Sequence, residues 1–245
     1  LAKLQDHVPP FDFDQVKAII ASEFGKTWDQ IFISMEDIPF ASASIGQVHR
    51  AQIHNNEPVA VKIQKPGIRK IIEVDLEIIR HIATIMENNI EEVAIFNPVR
   101  IVQEFAMTLE KELDYSIEAS NMERMAEQFK DDPTIHIPKV FSSQSSERVL
   151  TMEYISGIKA DDVTAIEKAG LDRRLITRMG ADFVMKQVFE HGFFHADPHP
   201  GNIFILEDNR ICPVDFGMTG FLDYATREVF VDLVYSIAVK NFKLT

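Results

Sequence analysis

The stretch HADPHPGN at His195–Asn202, followed by VDFG at Val214–Gly217, decides the fold of this chain. Within it, Asp197 and Asn202 are five positions apart, and Asp215 follows Asn202 after 13 positions. The second interval leaves room for one short hairpin. Carboxylate and carboxamide oxygens are ligands that suit a hard cation such as Mg²⁺. The pattern therefore indicates a magnesium-dependent site built from two loops.

These motifs resemble the catalytic loop and the DFG turn of protein kinases. That resemblance assigns metal binding to Asp215 and Asn202, and it gives Asp197 the task of orienting or deprotonating the attacking hydroxyl or water. Phosphoryl transfer fits this set, because it depends mainly on charge compensation and in-line positioning of the acceptor. The alternative, in which Asp197 and Asn202 only cap a turn before a strand at Ile203–Leu206, is favoured for either residue alone but not for the whole set.

Lys62 ends the apolar strand VAVK at Val59–Lys62. This segment is similar to the strand that carries the phosphate-binding lysine of kinases. A lysine at a strand end is usually a solvated side chain, so the assignment depends on the downstream motifs. In kinases this lysine is held by a helical glutamate. The helical candidates for that role are Glu77, Glu110 and Glu112.

Glu112 is the predicted partner of Lys62. In a helix predicted over residues 98–129, Glu112 lies one heptad after Phe105 and so borders the buried apolar stripe. Glu118 falls on a different face of the same predicted helix. The simpler alternative is that these acids form a solvated helix face.

The remaining pattern predicts an α+β protein with a two-lobed, protein-kinase-like fold. Helices are predicted at residues 12–25, 68–89, 98–129, 175–191 and 224–239, and further strands at 139–142 and 149–154. A β-rich first lobe with inserted helices, residues 1–155, precedes a mainly helical second lobe, residues 156–245. A nucleotide would sit in the cleft between the lobes, which join near residues 153–157.

Five segments of the chain together carry a family resemblance. They are, in order, ASASIGQVH (Ala41–His49), VAVK, ELDYSIEASN (Glu112–Asn121), FHADPHPGN and DFG. This combination resembles the UbiB family of atypical kinases, also called aarF-domain kinases, over most of the chain. The resemblance implies that an alanine-rich loop, Ala41–Val48, replaces the usual glycine-rich loop over the phosphates, with Ala43 where ordinary kinases keep glycine. The family's Glu-x-Asp motif falls on Glu112 and Asp114, which supports Glu112 as the partner of Lys62.

The resemblance also implies ATP (or ADP) and Mg²⁺ as ligands. The nucleotide-binding residues that it implies lie in the alanine-rich loop, on the VAVK strand and at the hinge, and they are Ala41, Ser42, Ala43, Ser44, Ile45, Gly46, Gln47, Val48, Ala60, Lys62, Met152, Glu153 and Tyr154. Family members are associated with isoprenoid quinone or other prenyl-lipid metabolism and look more like ATPases or small-molecule kinases than protein kinases. A prenyl-lipid or quinone-precursor ligand and lipid-biosynthetic enzymes are therefore the expected partners.

Two other functions remain open. In the first, the domain is a nucleotide-switched scaffold that organises a lipid-biosynthetic complex without turnover. In the second, it is an aminoglycoside- or choline-kinase-like phosphotransferase, because HxDxxxxN with a later aspartate also occurs there. The ASASIGQVH and ELDY segments argue against that second class. A zinc site at His195 and His199 is disfavoured, because no cysteine or third spaced histidine completes a zinc set.

The composition of the chain limits the binding partners and the cellular location that we expect. The 245 residues include 25 basic and 38 acidic side chains, a formal charge of -13, which disfavours nonspecific binding to nucleic acid or anionic lipid. The one cysteine, Cys212, lies in an apolar run and predicts a reduced, buried thiol. No window approaches 18 apolar residues, so no membrane span is predicted and peripheral membrane contact remains open. A cytoplasmic or organellar location is expected.

Both ends of the chain depart from the family pattern. The opening residues LAKLQDHVPP have neither a basic start nor an apolar core, so no secretory signal is predicted, and the family's KxGQ motif is not found. The chain ends 30 residues after Asp215 with no APE-type segment. The second lobe is therefore expected to be C-terminally truncated.

Overall fold

The computed structural model describes residues 9–238, which form two compact units. The first unit contains the chain through Ala119 together with Val140–Tyr154, and the second contains Ser120–Lys139 together with the chain from Ile155 onward. The sequence places all of residues 1–155 in one lobe, whereas the structure joins residues 120–139 to the second unit. The reason is backbone pairing, since His136 donates its N–H to the carbonyl of Ile211 at 2.9 Å.

The first unit is built on a five-stranded antiparallel sheet. Its strands are β1 (Phe32–Met35), β2 (Ala41–Ser42), β3 (Gly46–Ile53), β4 (Pro58–Gln64) and β5 (Val149–Glu153). The strand order is β1-β3-β4-β5, with β2 paired to β3. The hairpin between β3 and β4 turns at Asn56, whose φ of 62° is a left-handed conformation that asparagine tolerates.

Helix α1 (Phe13–Phe24) packs on one face of this sheet. Its residues Val16, Ile19 and Ile20 recur at helical spacing and are buried in one cluster with sheet residues such as Val61. Burial of each such aliphatic side chain contributes about 1.5–3 kcal/mol. This face of the sheet is therefore the hydrophobic core of the first unit, and the opposite face is left for other contacts.

The helices that follow α1 include two short ones that the sequence did not predict. They are α2 (Trp28–Ile31), α3 (Ile68–Asn89), α4 (Glu91–Ala94), α5 (Pro98–Glu112) and α6 (Tyr115–Gln128). Helix α3 packs against α5. The sequence predicts one helix over residues 98–129, but the structure divides it between residues 112 and 115. Helix α6 begins in the first unit and ends in the second.

The strand predicted at residues 139–142 is replaced by less regular structure. Val140 forms an isolated bridge with Met152, and a 3₁₀ turn follows at Ser142–Gln144. The Thr151 hydroxyl donates to the carbonyl at the end of that turn at 2.6 Å. The Phe141 N–H still donates to the Thr151 carbonyl at 2.9 Å, so backbone pairing with β5 remains there without forming a regular strand.

The second unit is mainly helical, with short strands. Its elements are β6 (Ile158–Lys159), α7 (Val163–Lys168), α8 (Arg173–Met185), a π-helical turn (Lys186–His191), β7 (Phe193–His195), β8 (Ile203–Ile205), β9 (Ile211–Pro213), β10 (Thr219–Phe221) and α9 (Tyr224–Ala238). The strands form one sheet of order β6-β8-β9 and one pair β10-β7, all antiparallel. Val239, the predicted end of the last helix, lies outside the described residues.

Asp172 explains where α8 begins. Its carboxylate accepts the backbone N–H groups of Arg174 and Leu175 at 2.9 and 3.1 Å, so it caps the helix, which begins at Arg173, two positions before the predicted start. Inside the unit, the rings of Phe129 and Phe183 pack with centroids 4.9 Å apart. Across residues 9–238, no helix has the length and apolar character that crossing a bilayer requires.

Candidate functional site

Lys62 lies on the face of the sheet opposite the hydrophobic core. In the strand register it is directly opposite Val48 on one side and Leu150 on the other, and Ala60 is opposite Met152. Paired residues, and residues two apart on a strand, point to the same face of a sheet. Four of the residues predicted to bind nucleotide therefore share one face: Val48, Ala60, Lys62 and Met152.

The ammonium of Lys62 is paired with Glu118. The Lys62 Nζ atom lies 3.0 Å from Oε1 and 2.8 Å from Oε2 of that carboxylate. The side chains are 15% and 4% exposed, so the pair is largely shielded from water. The sequence prediction that Glu112 is the partner was wrong, because Glu112 ends helix α5 and the ion pair is made from helix α6.

The error arises at the junction between α5 and α6. Asp114 accepts the backbone N–H of Ser116 at 2.9 Å and so acts as the N-cap of a new helix. Counting one heptad from Phe105 places Glu112 correctly on α5. The helical spacing of α5 cannot be extended to residues of α6, because α6 is a separate helix. An aspartate just before a helical segment is a capping signal, and at Asp114 it was available in the sequence.

Tertiary hydrogen bonds hold this junction. The buried Gln64 side chain donates to the Leu113 carbonyl at 2.7 Å, and the Tyr115 N–H donates to the Glu147 carbonyl at 2.9 Å. Both backbone groups would otherwise be unsatisfied where the two helices meet. The partners are distant in the chain, so local sequence does not predict them.

The alanine-rich loop is a tight hairpin between β2 and β3. Ala41 pairs with Val48 and Ser42 with Gln47, and the Ala43 N–H donates to the Gly46 carbonyl at 2.7 Å. The tip of the loop, at residues 43 and 44, is exposed. The predicted loop is thus an ordered turn whose tip remains accessible.

Gln47 is predicted to contact nucleotide, but its side chain is 1% exposed and faces the N-terminal segment. Its Oε1 accepts the Phe11 N–H at 2.9 Å, and its Nε2 donates to the Phe11 carbonyl at 3.2 Å. Gln47 alternates with Val48 along β3, so its side chain lies on the core face and not on the Lys62 face. The carboxamide therefore binds the backbone of Phe11 instead of a ligand.

The orientation of Gln47 also determines the state of His49. Because the Phe11 N–H must meet Oε1, the Gln47 amide group donates to His49 Nε2 at 2.8 Å. The Nδ1–H of His49 then donates to the Glu36 carbonyl at 2.7 Å. Burial lowers the pKa of His49, against the opposing effects of the Glu36 backbone and of the Asp37 and Glu36 carboxylates. His49 is therefore a neutral core residue.

The predicted hinge residues lie at the end of β5. Glu153 is opposite Val59 in the register, and the Tyr154 N–H donates to the Pro58 carbonyl at 3.2 Å. The guanidinium of Arg50 lies 4.2 Å from the centre of the Tyr154 ring. Cation–π contact and pairing to β4 thus hold the end of β5 in the first unit.

In the second unit, the β8–β9 hairpin brings together two predicted metal ligands. Ile203 is opposite Pro213, and the Val214 N–H donates to the Asn202 carbonyl at 2.9 Å. Asp215 is the next residue, so its backbone lies beside that of Asn202. The Asp215 Oδ1 accepts the Gly217 N–H at 3.1 Å, which shapes the DFG turn.

A second pair of strands, β7 and β10, joins the start of the loop that carries Asp197 to the segment after the DFG turn. Thr219 on β10 is opposite His195 on β7, and the Ala196 N–H donates to the Met218 carbonyl at 3.0 Å. The segment that carries Asp197 is therefore bound to the segment after the DFG turn. Together the two strand pairs hold the three predicted site residues of this unit in one compact region.

His195 supports the loop that presents Asp197. Its Nδ1 accepts the Asp197 N–H at 3.1 Å, so its proton resides on Nε2. Burial lowers the pKa of His195, while the Asp215 backbone and the carboxylates of Asp215 and Asp197 oppose that shift. The side chain of Asp197 itself is exposed. A neutral, buried histidine thus holds the backbone of Asp197, whose carboxylate is accessible.

Two supporting residues were not predicted. Gln187, which is 1% exposed, accepts the His195 N–H at 2.7 Å and donates to the Phe183 carbonyl at 3.1 Å. Asn121 donates to the carbonyl of Phe216 in the DFG turn at 3.0 Å. Gln187 lies in the π-helical turn, an irregularity that is frequent at functional sites. Gln187 was visible in the helical segment that precedes the motif loop, but the sequence did not reveal its partner.

The fold and these groupings are those of kinase-like proteins: a glutamate-paired lysine on an antiparallel sheet, and a catalytic-type loop bound to a DFG turn on a helical unit. Residues 3–244 match the family described as the ABC1 atypical kinase-like domain, and the chain belongs to this family. The predicted membership of the UbiB group of atypical kinases and the predicted kinase-like α+β fold are confirmed.

Similar proteins come from bacteria and plants. The chain is 41% identical over 235 residues to Activity of bc1 complex kinase 1, chloroplastic, of Arabidopsis thaliana, covering 96% of this chain and 34% of that protein. It is 39% identical over 226 residues to the probable protein kinase UbiB of Marinobacter nauticus, covering 91% and 41%. The solved Rv3197–erythromycin complex from Mycobacterium tuberculosis superposes with a TM-score of 0.80 at 28% identity, covering 96% of this chain and 59% of that one.

The chain therefore spans between about a third and two fifths of the length of these two curated relatives. What it shares with them is an atypical kinase-like domain.

Proposed function

We propose that this domain binds ATP together with Mg²⁺ and supports transfer of the terminal phosphoryl group to water or to a small lipid-related acceptor. The observation that carries the proposal is the ion pair between Lys62 and Glu118. A shielded ion pair adds little net stability, because desolvation offsets much of the attraction between its charges. A cation held at a defined position is, in contrast, well suited to binding phosphate oxygens.

Each residue of the site has a proposed task. Lys62, oriented by Glu118, would bind the α and β phosphates. Asp215 and Asn202 would hold Mg²⁺, which usually binds one or two protein oxygens and completes its shell with phosphates and water. The bound ion would neutralise charge on the phosphate oxygens. Asp197, whose carboxylate is exposed, would orient or deprotonate the acceptor.

The nucleotide base and sugar would lie against the face of the sheet that carries Lys62. Val48, Ala60 and Met152 offer an apolar surface there, with Tyr154 at its end, and Glu153, whose side chain is opposite Val59 on the core face, would contribute its backbone. The alanine-rich loop, with its exposed tip at Ala43 and Ser44, would cover the phosphates.

The biological setting of the proposal comes from the family. A role in isoprenoid quinone or prenyl-lipid metabolism, with a quinone-precursor ligand and lipid-biosynthetic enzymes as partners, is the setting that the UbiB resemblance favours. The Arabidopsis thaliana relative carries a name that places it in the chloroplast, which favours an organellar site.

Calorimetric titration of the full-length protein with ATP, with and without Mg²⁺, tests the proposal. Wild type is expected to bind ATP with magnesium-dependent affinity, and Asp215→Asn is expected to lose that dependence. Lys62→Met should weaken binding about 10-fold or more, while exposed Lys130→Met, the matched control, should not. If wild type shows neither magnesium-dependent binding nor turnover in the presence of lipid, the proposed function is wrong.

A second function, a nucleotide-switched scaffold without turnover, is favoured by one observation. The Ala43 N–H is engaged within its own loop by the Gly46 carbonyl at 2.7 Å, so that amide is not offered to a phosphate. Asp197→Asn separates the two functions. Nucleotide-dependent partner binding and cellular function that survive this substitution support the scaffold, whereas loss of turnover together with cellular function supports the enzyme.

A further inference from the structure

Tyr115 lies between two predicted parts of the nucleotide site, Lys62 and the alanine-rich loop, which are separate motifs in the sequence. It is the first residue of α6 and is 1% exposed. The Lys62 Nζ atom lies 5.0 Å from the centre of its ring, within the range of a cation–π contact. The other end of the side chain reaches Gly46, where the alanine-rich loop ends and β3 begins.

The contact between Tyr115 and Gly46 is close. A Cβ atom added to Gly46 would overlap the Tyr115 hydroxyl oxygen and would lie 2.6 Å from the Ile63 carbonyl oxygen. Atoms in a folded protein do not approach so closely, so the tyrosine packs directly against the backbone of residue 46. Gly46 is paired with Gln64 of β4, so the hydroxyl limits how far the end of the loop can move out of the sheet on the face that carries Lys62.

Helix α6 presents Tyr115 and Glu118 together. Residues three apart on a helix are neighbours on its surface. One turn of α6 thus contacts the Lys62 ammonium twice, through the carboxylate at 2.8 Å and through the ring at 5.0 Å. The ring contact differs from the ion pair because it alone also reaches the loop.

We propose that Tyr115 is a positioning residue of the nucleotide site, which sets the spacing between the Lys62 ammonium and the alanine-rich loop. This inference rests on the proposed nucleotide binding. The ring holds the Lys62 ammonium on one side, and the hydroxyl limits the movement of the loop on the other. The ammonium and the loop would both contact the phosphates of the same nucleotide. Tyr115 touches no reacting atom in this arrangement and acts through Lys62 and the loop.

The two contacts can be removed separately. Tyr115→Phe keeps the ring under Lys62 and removes the hydroxyl against Gly46. Tyr115→Leu removes both the ring and the hydroxyl. A residue that only fills space would affect unfolding but not the affinity for nucleotide. Ile20→Val, a change in the core on the opposite face of the sheet, is the control for lost stability alone.

The experiment measures, for the full-length protein, the Kd of Mg-ATP, the KM and kcat of ATP turnover, and the unfolding temperature. Tyr115→Phe is expected to raise Kd and KM about threefold, because the loop is less preorganised, with kcat within about twofold of wild type. Tyr115→Leu is expected to raise Kd about tenfold or more and also to lower kcat, since Lys62 loses its support. Ile20→Val is expected to lower the unfolding temperature with Kd unchanged.

Wild-type affinity in Tyr115→Leu, or an equal rise of Kd in Ile20→Val, would overturn the assignment while leaving nucleotide binding intact. Should Tyr115→Leu not fold, Tyr115→Phe decides alone, and an unchanged Kd counts against a positioning role. If wild type itself binds no Mg-ATP, the proposed function fails, and the role of Tyr115 fails with it.

Discussion

Glu118 brings both carboxylate oxygens within 3.0 Å of the Lys62 ammonium, from the first turn of α6. The two residues are 56 positions apart in the sequence, so the pair forms only when the helix docks on the sheet. With 4% of the glutamate side chain exposed, water contributes little to its solvation. The lysine is therefore held by geometry that the whole first unit maintains.

Glu118→Gln tests this pair directly. The amide keeps the shape of the side chain but removes the negative charge, so we expect kcat/KM for ATP turnover to fall by roughly 10- to 100-fold. Glu112→Gln, the matched change at the residue predicted from sequence, is expected to have a much smaller effect. Steady-state kinetics of both variants provides the comparison. Equal losses would mean that Lys62 is not positioned mainly by Glu118.

Gly46→Ala and Gly180→Ala should have opposite effects on stability. At Gly46 the added methyl group overlaps Tyr115 and meets the Ile63 carbonyl, so we expect a loss of about 1–3 kcal/mol in unfolding free energy. At Gly180, inside α8, the nearest atom is Ile211 Cδ1 at 3.6 Å, an ordinary contact. There alanine should gain about 0.5–1 kcal/mol through helix propensity. Urea unfolding measures both, and a stabilised Gly46→Ala would contradict the described loop packing.

Gln187→Met should weaken the support of the catalytic-type loop. Methionine has a similar volume but cannot accept the His195 N–H, so a buried donor is left unsatisfied at a cost of about 1–3 kcal/mol. We expect lower unfolding free energy together with reduced turnover, because the strand that precedes Asp197 loses its anchor. Exposed Glu190→Gln, in the same π-helical turn, is the control. Unchanged stability in Gln187→Met would show that this hydrogen bond is dispensable.

The stability of the protein should decrease as the pH falls below about 6.5, the ordinary pKa of histidine. Burial lowers the pKa of His49 in the folded state, so the unfolded chain binds more protons in that range and protonation favours unfolding. The contribution of His49 to the free energy of unfolding is fully present above pH 6.5 and is lost as the pH falls toward its folded-state pKa. His195, whose pKa is also lowered by burial, acts in the same direction.

Urea unfolding of wild type and His49→Gln at several pH values between about 5 and 8 measures this effect. The variant should show a flatter pH dependence, although His195 still contributes. His54→Gln, at an exposed histidine of the same unit, should keep the wild-type slope. A wild-type slope in His49→Gln would mean that other groups cause the pH dependence.

Sequence analysis predicted the elements whose signals are local. The helix predicted over residues 68–89 has the same bounds in the structure, because a continuous apolar periodicity specifies it. The spacing of Asn202 and Asp215 predicted a hairpin, and β8 and β9 form it. Gln47 shows the limit of this approach, since its position in the loop motif was predicted but its contact with Phe11 was not.

By itself, the sequence determined the family, the kinase-like fold and the motif loops around Asp197, Asn202 and Asp215, because short-range spacing and periodicity encode them. Only the tertiary structure decided which glutamate meets Lys62 and that Gln187 supports His195. The physical reason is that a helix ends where its last backbone groups find partners. At Leu113 and Tyr115 those partners, Gln64 and Glu147, come from distant parts of the chain.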